Sequence, residues 1–213
     1  MGVPDNGVAD PLVWVDCEMT GLDLAADALI EVAVVVTDSE LRPLGQGVDV
    51  IVKPPQQALR QMGSFVREMH TSSGLLAALE GGVSLAEAEA TVMDYVLRYV
   101  PQAGKAPLAG NSVSTDRRFI DRDLPEFGQH LHYRTIDVSS VKELARRWFP
   151  RIYFASPEKT GGHRALADIL DSIDELRYYR EALFVPQPGP DSETARAVAA
   201  RIAQTSVRDL LEV

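Results

Sequence analysis

Cysteine is almost absent from this sequence: Cys17 is the single cysteine among 213 residues, which excludes an internal disulfide framework. Long apolar runs are missing too. Even the apolar stretch at residues 28–36 is interrupted by Glu31, and a membrane helix needs about 18 to 20 residues. No N-terminal segment has the apolar length and basic flank of a signal peptide. We therefore expect a cytoplasmic protein that does not span a membrane.

Positive charge is also scarce. The 21 Lys and Arg residues are outnumbered by 31 Asp and Glu residues, which gives a formal net charge of -10. Because non-specific binding to long nucleic acid depends on many phosphate contacts from Lys and Arg, we expect no long double-stranded nucleic acid among the partners. A protein of this composition that binds phosphate has to attract it through metal ions and a few local cations.

Two carboxylates interrupt an apolar stretch near the N-terminus. Asp16 and Glu18 lie in residues 12–19, Leu-Val-Trp-Val-Asp-Cys-Glu-Met, which has the composition of a β-strand. Because successive strand side chains point to opposite faces, we expect both carboxylates on the same face as Trp14, roughly 6.5 to 7 Å apart. Cys17 then points away, into the core. An isolated buried carboxylate is costly, so the pair predicts a cation nearby.

The order of elements predicts an α/β domain with a mixed central sheet flanked by helices. Strands are predicted at residues 12–18, 28–38 and 47–53, where short connections favour an antiparallel meander, and then at 107–111 and 133–138 in alternation with helices. Helices are predicted at residues 56–69 with a break at Gly63, at 115–122 and at about 164–183. Two more are predicted, one after a capping box at Ser84 and one after a cap at Ser139 or Ser140.

The pattern continues with three more residues, two acids and one histidine. Asp116 is expected in the first turn of the helix at residues 115–122, and Asp168 in the second turn of the last predicted helix. On one continuous helix His163 and Asp168 would be about 140° apart. Gly161 and Gly162 remove this conflict, because they allow His163 to lie on a loop and turn toward the same point.

Four carboxylates without a thiolate or a His pair suit hard cations such as Mg²⁺ or Mn²⁺. Two such ions about 3.5 to 4 Å apart can activate water and stabilise the leaving oxygen in phosphodiester hydrolysis. An imidazole can take a proton near neutral pH, which suits a general base. We therefore expect Asp16, Glu18, Asp116 and Asp168 to bind two divalent cations and His163 to act as the base.

Each fragment of this pattern has an ordinary structural explanation when taken alone. An Asp-x-Glu pair, or a His five residues before an Asp, is usually structural or solvated. Asp116 alone is equally well explained as a helix-capping carboxylate. It is the ordered combination, with the first pair inside an apolar strand, that favours a catalytic site.

The combined motifs resemble the DEDDh exonuclease superfamily. The resemblance rests on Asp16-x-Glu18-x-Thr20-Gly21-Leu22, Asn111-Ser112-x-x-x-Asp116-Arg117-Arg118-Phe119 and His163-x-x-x-x-Asp168. Two further segments, His132-Tyr133-Arg134-x-x-Asp137-Val138-Ser139 and Lys142-Glu143-Leu144-Ala145-Arg146-Arg147-Trp148, resemble the oligoribonuclease family more narrowly.

This resemblance implies a ribonuclease H-like fold and a homodimeric, metal-dependent enzyme that releases 5′-mononucleotides from the 3′ end of short RNA, chiefly dinucleotides. It implies that Leu22 is a wedge between the two bases. Ser112, Arg134 and Ser139 match a cap on the 5′ phosphate, and Tyr133 matches a residue that reaches the neighbouring subunit's site.

Phe65 and His70 also match substrate contacts, Phe65 by stacking on a base. The family often carries Trp at the position of Phe65, and either residue can instead be core or turn structure.

The proline-rich stretch at residues 185–190 predicts a stiff linker. We expect an exonuclease domain at residues 1–184 and an extension at 185–213 that is either helical or disordered. Two rival functions stay open: an exonuclease of the same superfamily that acts on longer strands, and a catalytically silent protein that kept the fold for nucleotide binding or as a scaffold.

Overall fold

Five strands form the central sheet of the computed structural model, which describes residues 9–159, 162–205 and 207. The strands are β1 (Leu12–Met19), β2 (Leu29–Thr37), β3 (Val48–Ile51), β4 (Pro107–Gly110) and β5 (His132–Asp137). Their order in the sheet is β3-β2-β1-β4-β5. The first three strands pair antiparallel, whereas β4 runs parallel to both β1 and β5. The predicted meander followed by parallel strands is confirmed.

Helices cover both faces of this sheet. They are α1 (Gln56–Gln61), α2 (Ser64–Ser72), α3 (Leu75–Ala78), α4 (Leu85–Tyr99), α5 (Ser114–Asp123), α6 (Pro125–His130), α7 (Val138–Trp148), α8 (Pro150–Phe154), α9 (Ala165–Leu183) and α10 (Ser192–Gln204), with a 3-10 turn at Leu79–Gly81.

The alternation of side chains along β1 separates two cores. Val15 and Cys17 pack into the larger core with residues of α4, α5 and α6, and Cys17 is buried there as predicted. Trp14 faces the other way and packs with Ile169 and Ile173 of α9. Asp16 therefore lies on the face that α9 covers.

Several predicted element boundaries are confirmed, and one cap is corrected. The break at Gly63 separates α1 from α2, and Ser84 forms the full capping box with Glu87 at the start of α4. Helix α7, however, is capped by Asp137, whose carboxylate accepts a hydrogen bond from the Ser139 amide. The prediction of a serine cap was wrong because the helix begins directly after β5, with no intervening turn.

The C-terminal segment forms α10, whose described side chains are all exposed. Asp191 caps it by accepting a hydrogen bond from the Thr194 amide at 2.8 Å. The division of the chain at residue 184 stays a prediction. Across the described ranges, no helix combines the length and apolar character that crossing a membrane requires.

Candidate active site

The carboxyl ends of β1, β4 and β5 meet at one edge of the sheet because these strands are parallel. Asp16 and Glu18 lie near the end of β1, Ser112 and Asp116 follow β4, and Ser139 follows β5. In open α/β sheets this edge is the usual place for ligand binding. The topology thus gathers polar side chains from distant parts of the sequence on one side of the molecule.

The residues predicted to bind metal or transfer a proton converge at this edge. The donor atoms of Glu18, His163 and Asp168 all lie within 4.8 Å of one another. The charges of Asp116, Glu18 and Asp168 each act on Asp16. The structure therefore brings all five residues together, while their individual roles stay predictions.

Burial and mutual repulsion make the negative charges of this cluster unfavourable. Burial, followed by the charge of Asp116, raises the pKa of Asp16 to about 9. Burial is also the main cause that raises the pKa of Glu18 to about 7 and that of Asp116 to about 6. The pKa of Asp168 is raised by burial as well, although His163 opposes the shift.

Asp116 is fixed by the backbone of β1. Strand β4 pairs with β1 only at Val13 and Trp14, so the Cys17 amide lies beyond the ladder on that side. This amide donates a hydrogen bond of 2.9 Å to Asp116 Oδ1. The end of the short strand β4 thus leaves a donor free to hold the acidic side chain of α5 against the centre of the sheet.

His163 lies just before α9, outside the helix. It is exposed, and its φ of 62° is in the left-handed region, as is the φ of 65° at Gly162. For a non-glycine residue this conformation costs energy and marks functional segments. Gly161, the other predicted hinge glycine, lies outside the described residues. The predicted loop position of His163 is confirmed, and it allows the imidazole to reach Asp168.

The donor set fits hard divalent cations. It consists of carboxylate oxygens with one imidazole nitrogen, which suits Mg²⁺ or Mn²⁺ better than a thiophilic metal. Within the part of the chain that the structure describes, no Lys or Arg forms an ion pair with Asp16, Glu18 or Asp116. A bound cation would supply the missing positive charge.

Two of the predicted phosphate-cap residues are in direct contact. The Oγ atoms of Ser112 and Ser139 lie 3.0 Å apart, and the Ser112 amide donates to Ser139 Oγ at 2.8 Å. Asp137 Oδ1 accepts from both the Ser112 and the Ser139 amides, at 3.0 and 2.9 Å. Ser112 has a φ of 53°, so this pair is held in a strained backbone conformation.

Two further predicted substrate-binding residues, Tyr133 and Arg134, lie on β5. Arg134 is exposed, and its guanidinium carbon lies 5.4 Å from the centre of the Tyr133 ring. Tyr133 is 77% exposed. In the described residues no contact joins the Arg134 side chain to Ser112 or Ser139. Both side chains are thus available to a substrate or to another subunit.

The remaining predicted substrate contacts differ in exposure. Leu22 and Phe65 are 68% and 78% exposed, which is unusual for large apolar side chains. Phe65 and His163 both line a shallow hollow of about 330 Å³. His70 is instead fully buried, with Nε2 2.9 Å from the Met19 carbonyl oxygen and Nδ1 3.9 Å from Glu18 Oε2. His70 therefore lies next to Glu18 inside the protein, with no surface exposed to a substrate.

Sequence reasoning missed two groups of residues around the site. Glu31 is fully buried in β2 and is bound by Arg164, next to His163. Glu175 of α9 is bound by Lys142 and Lys159. Glu31 carried the same signal as Asp16, a carboxylate inside an apolar strand. The cations that pair with these glutamates follow no local pattern.

Comparison with known proteins shows which family this sequence resembles. The exonuclease family model RNase_T matches residues 13–176. An oligoribonuclease of Streptomyces coelicolor is 67% identical over 192 residues, which cover 90% of this chain and 96% of the relative. An oligoribonuclease of Leifsonia xyli subsp. xyli is 59% identical over 92% of this chain and 95% of the relative.

Solved structures show the same fold in more distant proteins. Exonuclease I from Methylocaldum szegediense superposes with a TM-score of 0.61 at 21% identity. The zinc-bound complex of E. coli exonuclease I with single-stranded DNA gives 0.63 at 17% identity. Each match covers 82% of this chain but only 41% of the exonuclease chain, so this chain spans about two fifths of their length. The expected ribonuclease H-like fold is confirmed.

The extent of the family match and the high identity over nearly the whole length of the relatives lead to one conclusion. This chain belongs to the oligoribonuclease family of 3′ to 5′ exoribonucleases.

Proposed function

We propose that this protein hydrolyses short oligoribonucleotides, chiefly dinucleotides, from the 3′ end to 5′-mononucleotides, using two Mg²⁺ or Mn²⁺ ions. The observation that carries the proposal is the convergence of Glu18, His163 and Asp168 within 4.8 Å, next to Asp16 and Asp116. The high identity to relatives named oligoribonuclease supports the choice of substrate.

The residues divide the chemistry between them. Asp16, Glu18, Asp116 and Asp168 would hold the cations. When bound, a pair of divalent cations activates the attacking water and neutralises charge on the scissile phosphate. His163 is exposed on its loop and beside two of the acids, so an imidazole nitrogen can accept the proton of the attacking water.

We assign recognition of substrate length to residues of β5 and to residues that directly follow β4 and β5. Ser139 Oγ donates to Asn111 Oδ1 at 3.2 Å and lies 3.0 Å from Ser112 Oγ, so the two hydroxyls would turn to donate to a terminal phosphate. Arg134 would add a charge-assisted hydrogen bond. Leu22 and Phe65 offer exposed apolar surface for the bases. A cap that holds the 5′ phosphate while the scissile phosphate lies at the acids would favour a substrate of two nucleotides.

Assembly and organisation complete the proposal. The protein is a homodimer in which the exposed Tyr133 reaches the partner subunit's site. Residues 1–184 form the catalytic domain, and residues 185–213 are an extension outside the chemistry. The exposed surface of α10 supports the placement of this extension outside the catalytic core. The enzyme acts in the cytoplasm.

A time course with 5′-labelled RNA tests this function. Two-mers and seven-mers of matched sequence are incubated with the protein in the presence of Mg²⁺, and again with excess chelator. We expect mononucleotide release from the two-mer at a higher kcat/KM than from the seven-mer, and none with chelator. Equal cleavage of both lengths favours an exonuclease for longer strands, and no metal-dependent release favours the silent binding protein.

A further inference from the structure

A fully buried glutamate lies directly opposite a predicted metal ligand. In the β1–β2 ladder Glu18 pairs with Glu31, and residues opposite each other in antiparallel strands point to the same face. Glu31 has no exposed surface. Two like charges in this arrangement are destabilising unless a cation offsets one of them. The charge of Glu31 is in fact one of the causes that raise the pKa of Glu18.

Arg164 supplies that cation with specific geometry. Its Nε and Nη2 atoms donate to Glu31 Oε1 at 2.9 and 2.7 Å. The amide of Ala165 donates to the second oxygen, Oε2, at 3.2 Å. Arg164 Nη2 also lies 3.7 Å from Asp49 Oδ2, on β3. Both oxygens of the buried carboxylate are therefore satisfied, and one arginine connects α9 to two strands.

The position of this ion pair in the chain gives it a second role. Arg164 directly follows His163 and is the N-cap residue of α9, and Ala165 is the first residue of the helix. The Asp168 amide donates to the Arg164 carbonyl at 3.0 Å, which fixes Asp168 one turn further on. The backbone between the proposed base and the proposed ligand is thus attached to β2 through Glu31.

We propose that Glu31 and Arg164 are positioning residues for the hydrolysis reaction. Their ion pair holds the junction of the His163 loop with α9, so that His163 and Asp168 both face Glu18. This inference rests on the proposed function. Because a small displacement of a reacting group costs far more in rate than in substrate binding, the pair should act on kcat and leave KM nearly unchanged.

The experiment compares kcat and KM for cleavage of a 5′-labelled diribonucleotide at saturating Mg²⁺. Removing the arginine outright would leave a buried, uncompensated carboxylate and could unfold the protein. Arg164→Lys keeps the charge but not the two-pronged donation, and Glu31→Gln keeps an acceptor for the Ala165 amide. Arg180→Lys is the matched control, since Arg180 joins the other end of α9 to Glu40 through an exposed ion pair.

We expect Arg164→Lys and Glu31→Gln to lower kcat about tenfold or more, with KM within about threefold of wild type. The control should change neither value beyond about twofold. The folded fraction of each variant is measured by circular dichroism at the assay temperature. Wild-type kcat in both variants, or a loss explained by the unfolded fraction or matched by Arg180→Lys, would overturn the inference. A wild-type protein that fails to cleave the dinucleotide would instead refute the proposed function.

Discussion

The protein buries two groups of carboxylates that differ in their partners. Glu31 and Glu175 are 0% and 3% exposed, and each is bound by basic side chains. Burial alone would raise the pKa of Glu175, but hydrogen bonds from Lys159 and Lys142 bring it below its ordinary value. Asp16 and Asp116 have no such cation among the described residues, and their pKa values rise to about 9 and about 6.

The difference shows which buried acids are available for function. Burial alone does not distinguish the acids, because Glu18 and Asp116 are buried, as are Glu31 and Glu175. The distinguishing property is that, among the described residues, no Lys or Arg forms an ion pair with Asp16 or Asp116, which is why we propose that this cluster takes up a cation from solution. We call Glu31 and Glu175 the paired group. Asp16, Glu18 and Asp116, for which we propose bound metal ions, are the unpaired group.

The largest expected effect comes from the unpaired group. Asp116→Asn removes a ligand charge but keeps an oxygen to accept the Cys17 amide, so the fold should persist. We expect kcat to fall by roughly 10²-fold or more, because a bound cation supplies several kcal/mol of transition-state stabilisation. Diribonucleotide cleavage at saturating Mg²⁺ measures this. Activity within about tenfold of wild type would contradict the ligand role.

A loss of similar size is expected at His163, for a different reason. His163→Ala leaves all four carboxylates in place, so substrate and metal binding should persist while proton transfer is lost. We expect kcat to fall by about 10²-fold with little change in KM. A large rise in KM with unchanged kcat would make His163 a substrate contact instead.

A smaller effect is expected at the phosphate cap. Arg134→Ala should weaken dinucleotide binding by about tenfold, which is typical for loss of one charge-assisted hydrogen bond. Removing the 5′ phosphate from the substrate should weaken wild-type binding similarly. In the variant, phosphate removal should then have little further effect. Full additivity of the two changes in a double-mutant cycle would disprove the contact.

The smallest effect belongs to the paired group and concerns stability. Glu175→Gln removes the partner of Lys142 and Lys159 while the amide can still accept a hydrogen bond. We expect the melting temperature to fall by roughly 3 to 8 °C. Asp116→Asn, which relieves repulsion, should show no such fall in metal-free buffer. Equal destabilisation by both variants would erase the distinction between the two groups.

The parts of the fold that local chemistry dictates could be predicted from the sequence. The β1–β3 meander follows from apolar runs with short connections, and the start of α4 follows from the reciprocal bonds of Ser84 and Glu87. Helices α6 and α8 were missed because each spans under two turns and begins at a proline, Pro125 or Pro150, that also marks a helix end.

The site was predictable where its residues carried a signal in their own segments. Asp16 and Glu18 stand out in an apolar strand, and Gly162 marks the turn that carries His163. The Glu31–Arg164 pair joins residues 133 positions apart, and no periodicity connects them. Such tertiary ion pairs become visible only after the helix has been packed on the sheet.

The most direct test of the unpaired cluster is the pH dependence of its melting temperature, in chelator and in Mg²⁺. The raised pKa values of Asp16 and Glu18, to about 9 and about 7, mean that the folded state binds more protons than the unfolded state between about pH 4 and 9. Stability without metal must therefore decline as pH rises through this window.

Mg²⁺ should offset this decline, so its stabilising effect should grow from pH 6 to pH 9, and Asp16→Asn should flatten the slope in chelator. A melting temperature in chelator that is constant or rises over this range, with no gain from Mg²⁺, would contradict a cluster of acids that depends on bound cations.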